Sequence, residues 1–232
     1  MPGARLLLSV VFVSVFAAAQ STEPPQNDGP TKVSDSAVWQ IPPQFMATAH
    51  AACDKSSSSS GAVQCMIAKM QKAGAPAAGV DFTRELYKQS HGEFGIMTGF
   101  QPEGSVAFAW ITYPLRANTN YGLLLVNGRP PIINVEDLKL LDRKAMEQST
   151  QFQNLKNQFP KVELFPGDRD GKIWPNSQAG PNGGIQFVVG YPLLNGCHAC
   201  EHVSFAIFTW NLDAQGKFLG TTFVGMTPPP LQ

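Results

Sequence analysis

Charge is scarce in this chain. Asp, Glu, Lys and Arg make up 15% of its 232 residues, and 17 basic side chains stand against 17 acidic ones. A balance of that kind leaves no electrostatic footprint for nucleic acid or an anionic membrane, and both are set aside as partners. Beyond the first 19 residues, no stretch reaches the roughly 20 uninterrupted apolar positions that a membrane helix needs. The short motifs of familiar chemistries are missing too. There is no Gly-x-Ser-x-Gly, no Gly-rich phosphate loop, no His-Glu-x-x-His and no recognisable pair of carboxylates in an apolar setting, so no catalysis is evident. Four cysteines are too few to replace a hydrophobic core at this length, and disulfides here would staple a fold that apolar burial holds.

What is present begins with an export signal. Arg5 carries the one positive charge of the first few residues, positions 6–16 are almost wholly apolar, and Ala17, Ala18 and Ala19 supply the small residues that precede a cut before Gln20. Residues 1–19 therefore read as a signal peptide. No cysteine follows the cut, which argues against a lipid anchor, and the mature protein is expected to be exported, periplasmic or secreted. Residues 20–37, rich in Pro, Ser, Thr, Asp and Gly, read as a flexible leader, and residues 38–232 as a single α+β domain.

Helical and strand patterns then alternate in blocks. Residues 45–53 and 62–70 are strong helix formers separated by a serine-rich loop, which predicts a helical hairpin ended by Gly74 and Pro76. A third helix, with Asp81 as N-cap and Gly92 as its stop, places Phe82 and Leu86 on one face. The apolar period changes to two at residues 93–100, 106–113, 121–126 and 132–135, predicting antiparallel strands. A long helix is expected over residues 134–159, where Leu138, Leu141, Ala145, Phe152, Leu155 and Phe159 recur three and four apart before Pro160. Further strands are predicted at 161–165, 185–191, 203–212 and 218–226, the last two joined by a tight turn at residues 213–216. Residues 167–184 read as a long surface loop. The expected fold is thus α+β: an antiparallel sheet of about six or seven strands packed by one long helix, with an N-terminal helical hairpin.

The densest chemistry lies in Cys197-His198-Ala199-Cys200-Glu201-His202. In an oxidising compartment, Cys197 with Cys200 and Cys53 with Cys65 are the expected disulfides, each pair being close in sequence, although four cysteines allow three connectivities. The rival reading makes Cys197, His198, Cys200 and His202 ligands of zinc or copper, or the two thiols a redox couple. Against it, the motif precedes a strand-forming run and opens no helix, and no second ligand pair stands elsewhere. A haem attachment would need His directly after the second Cys, where Glu201 stands. No cofactor is expected on the main reading.

A second candidate is the polar loop after residue 115, where Arg116, Asn118 and Asn120 have the donors to clamp a carboxylate or a sugar. Tyr113-Pro114-Leu115 is echoed by Tyr191-Pro192-Leu193. If both prolines direct the same bend, the two loops meet in one polar rim at one end of the sheet. The expected function is a binding or structural role in the cell envelope or extracellular space, with an unknown envelope protein or a small ligand as partner. The alternative is a metal-handling or thiol-redox protein using residues 197–202.

Overall fold

The computed structural model describes residues 32–53, 58–90, 92–116, 120–166 and 175–227. The expected signal peptide, most of the expected leader, Asn118 and residues 167–174 of the expected 167–184 loop lie outside them.

Two antiparallel sheets, rather than one, form the molecule. The first has the order β1-β2-β3-β4, built from β1 (Ile96–Glu103), β2 (Val106–Thr112), β3 (Tyr121–Val126) and β4 (Ile132–Asn134). The second has the order β5-β7-β8-β9, from β5 (Val162–Leu164), β7 (Ile185–Asn195), β8 (His202–Leu212) and β9 (Phe218–Thr227), with β6 (Asn176–Ala179) also paired to β7. Strand β6 is a feature that the sequence reading assigned to a loop, because its residues Asn, Ser, Gln and Ala are all exposed and carry no apolar alternation.

Period-two alternation explains the layering. Val106 and Phe108 of β2 and Leu123 and Leu125 of β3 point to a core shared with Phe187, Val189 and Phe208 of the second sheet. There the Phe108 and Phe187 rings meet edge to face at 4.6 Å. The intervening Ala107, Ala109, Ile111, Leu124 and Val126 point the other way, against Phe82 and Leu86 of helix α3 (Ala77–Gln89). The first sheet is therefore covered on both faces, which is why its central strands are apolar throughout. A backbone bridge joins the β3–β4 connection to the β8–β9 turn: the Arg129 amide donates to the Gly216 carbonyl and the Phe218 amide to the Arg129 carbonyl, both at 2.9 Å.

The helices at the start are α1 (Phe45–Cys53) and α2 (Ser59–Lys72), joined by the Cys53–Cys65 disulfide with a Cα separation of 5.6 Å. Their buried faces, Phe45, Ala49, Val63, Met66 and Met70, form a third core with Phe94 and Ile96. Helix α3 begins four residues before Asp81. Pro76 stands at its N-cap position, and Asp81 is an exposed residue paired with Arg84 at 2.8 Å. The packed chain also starts before residue 38: Asp35–Ala37 form a 3-10 turn, Ala37 is buried against α3, and Asn127 exchanges two hydrogen bonds with the backbone of Val33. The last residues of the expected leader are thus part of the fold.

The expected helix over residues 134–159 is broken into pieces. After β4 come a 3-10 turn (Leu138–Leu140), α4 (Arg143–Gln148) and α5 (Thr150–Gln158). Local side-chain caps make the breaks. Asp137 accepts from the Lys139 amide and Asp142 from the Ala145 amide, each opening its own turn. Ser149 adopts an extended backbone (φ −70°, ψ 144°) that ends α4, while its hydroxyl accepts from the Phe152 amide to start α5. Leu141, Met146, Phe152 and Leu155 still reach the shared core, so the apolar stripe was real and the continuous helix was not.

Candidate functional site

The Cys197–His202 segment forms the β7–β8 connection. Cys197 and Cys200 are joined as a disulfide, the Cys200 amide donates to the Cys197 carbonyl at 3.0 Å, and Gly196 takes the left-handed conformation (φ +92°) that the turn needs. His202 is buried, donates from Nε2 to the Ser204 carbonyl at 2.8 Å and stands edge-on to Phe205. The His198 ring packs edge-on to Phe165 at 5.9 Å. Sulfurs bonded to each other offer no thiolate to a metal. Among the described residues no group of three or more His, Cys, Asp or Glu is placed to hold an ion.

The Tyr-Pro-Leu echo does not reflect a shared bend. Pro192 lies inside β7, opposite Phe205, and its carbonyl accepts from the Phe165 amide, so its missing N–H falls on the side where the short strand β5 has already ended. Pro114 by contrast makes a turn between β2 and β3, in the other sheet, and its carbonyl accepts from His50 Nε2 of α1 at 2.8 Å. The shared bend on which the expected rim of residues 116–120 and 193–202 rested is therefore absent, and residues 117–119 lie outside the described residues.

Arg116 is held in place. Its Nη2 donates to both oxygens of Glu93 at 3.0 and 2.9 Å, Nε to Glu93 Oε1 at 3.3 Å, and Nη1 to Glu136 Oε2 at 2.8 Å. The guanidinium carbon lies 3.6 Å from the centroid of the Tyr113 ring, a cation–π contact. Burial alone would lower the Arg116 value, but the hydrogen bonds to Glu93 and Glu136 raise it above its ordinary range, and the side chain is a permanent cation. Glu136 is 9% exposed, and burial pushes its carboxyl above the usual glutamate value against the pull of Arg116. Asn120 contributes its backbone, the carbonyl accepting from the Tyr113 amide at 2.6 Å. The guanidinium is thus engaged by two carboxylates of this chain. Glu93 and Glu136 come from segments that the sequence reading took as strand and helix starts, and only the fold brings them to one arginine.

Beside this trio a cleft of about 490 Å³ opens between the end of α3 and the β4 edge. Leu86, Leu124, Ile132 and Phe218 give it an apolar wall, and Ser90, Glu93, Tyr113, Asn134 and Asp137 its polar groups. Tyr113 is 1% exposed, and its hydroxyl finds no hydrogen-bond partner among the described residues. Its ring is wedged between Gly95, just before β1, and Gly122 of β3. A Cβ added at Gly95 would meet it at 2.9 Å and one at Gly122 at 2.6 Å, so both glycines are required for the ring to lie where it does. Burial raises the phenol above its ordinary value and keeps it neutral, able to donate or accept.

No family model, no curated protein and no solved structure matches the chain. The two disulfides fit an oxidising compartment, and no helix among the described residues is long and apolar enough to cross a membrane.

Proposed function

We propose that this is an exported binding protein that takes a small molecule into the α3–β4 cleft. One observation carries the reading: a cleft beside the fixed Arg116 trio joins an apolar wall of Leu86, Leu124, Ile132 and Phe218 to the polar side chains of Ser90, Glu93, Asn134 and Asp137. The volume of about 490 Å³ falls inside the range of about 300 to 1,000 Å³ typical of small-molecule sites, and an apolar wall with a few converging polar groups is their usual composition. The Arg116 trio supports this role by holding Glu93 and the Tyr113 ring in one geometry before any ligand arrives.

Native mass spectrometry of the protein recovered from its own producing cells tests the reading. The expected spectrum shows a chain beginning at Gln20 with a small molecule bound, and an Ile132→Trp variant, which fills the cleft, of the same melting behaviour without it. A chain that keeps residues 1–19 would remove the export part. A small molecule still bound to Ile132→Trp would place the site elsewhere.

A further inference from the structure

We propose that the ligand selected by the cleft is a small organic cation, an ammonium group on an apolar frame. This rests on the cleft being the binding site and goes on to name what enters it. The charged side chains on the cleft wall are Glu93 and Asp137, and no Lys, Arg or His lies among the lining residues described. The arginine behind Glu93 does not reverse that sign. Arg116 is shared by Glu93 and Glu136, two carboxylates against one guanidinium, so the trio retains one negative charge and Asp137 adds a second.

Hydrogen-bond capacity points the same way. A carboxylate offers about four acceptor sites, and the donations from Arg116 place two on Glu93 Oε1 and one on Oε2. Oε2 keeps an acceptor direction on a side chain that lines the cleft and is 40% exposed. An ammonium brings donors and no acceptor, which fits the Glu93 and Asp137 carboxylates, whereas a carboxylate or phosphate brings the wrong charge and meets no cation on the wall. Leu86, Leu124, Ile132, Leu140 and Phe218 supply an apolar surface for the body of such a molecule, where burial of hydrocarbon favours binding.

Isothermal titration of the intact mature protein with three probes of one frame, phenethylammonium, 2-phenylethanol and 3-phenylpropionate, tests the assignment. The ammonium should bind at least about tenfold more tightly than the alcohol, the weight of one charge-assisted hydrogen bond. The carboxylate should give no measurable heat. Asp137→Asn keeps the cap on the Lys139 amide and should weaken the ammonium about tenfold while leaving the alcohol unchanged. Equal affinity for the three probes, or preference for the carboxylate, overturns the cation assignment and leaves the cleft a binding site. Binding of none of them overturns the assignment as well. Ammonium binding that survives Ile132→Trp overturns the site itself.

Discussion

Two tyrosines show how the same residue type serves opposite ends. Tyr191 and Tyr113 are both fully buried, but the Tyr191 hydroxyl accepts from Trp210 Nε1 at 3.0 Å and donates to the Val135 carbonyl at 2.7 Å. That pair of bonds ties the second sheet to the end of β4. The Tyr113 hydroxyl has no such bonds among the described residues. An unsatisfied buried group costs about 1 to 3 kcal/mol, and a satisfied one contributes about 1 kcal/mol. Tyr113→Phe should therefore raise the melting temperature of the ligand-free protein while Tyr191→Phe lowers it, and urea denaturation of both should show opposite signs. Two losses of equal size would mean that the Tyr113 hydroxyl is satisfied in solution. Residue types alone could not separate these roles, since each Tyr-Pro-Leu reads the same until its neighbours are placed.

Among the elements, the region after β4 teaches the most. Spacing of Leu, Ala and Phe at three and four residues marks which side chains turn inward; it holds for Leu141, Phe152 and Leu155, while Met146 takes the inward place expected for Ala145. Whether the backbone runs unbroken between them depends on caps, and Asp142 and Ser149 use their side chains to close one helix and open the next. Both Phe152, at 5% exposure, and Phe208, at 0%, sit in the core where α5 meets the second sheet. Phe152→Ala and Phe208→Ala should each destabilise by about 3 to 5 kcal/mol in chemical denaturation, while the exposed Lys156→Ala stays nearly silent. Similar losses for all three would contradict the packing of α5.

At the scale of the whole molecule, the two buried phenols set an alkaline limit. Burial raises both above the ordinary value of 10.0, so the folded chain keeps protons that the unfolded chain releases. Stability from this source is fully present below pH 10.0 and is lost as pH rises above it. Each phenol should take away about 1.4 kcal/mol per pH unit in that range. Denaturation followed between about pH 9 and about pH 11 with tyrosinate absorbance as a second signal should show the loss, and Tyr191→Phe should halve its slope. A stability that stays level across that interval would mean the phenols ionise within the fold.

How far the sequence reached follows from the range of the forces involved. Strand positions such as 121–126, the tight turn at 213–216 and the apolar character of both faces of β8 are local matters of side-chain alternation and turn chemistry, and these were legible. The pairing of Cys53 with Cys65 and of Cys197 with Cys200 follows the same nearness along the chain. Division into two sheets was not legible, because apolar residues on both faces of β2 say that something covers each face without saying what. The cleft is the extreme case. Glu93, the turn carrying Tyr113 and Arg116, and Glu136 come from three segments whose meeting depends on how α3 and β4 lie against β2 and β3, and no spacing in the chain encodes that arrangement.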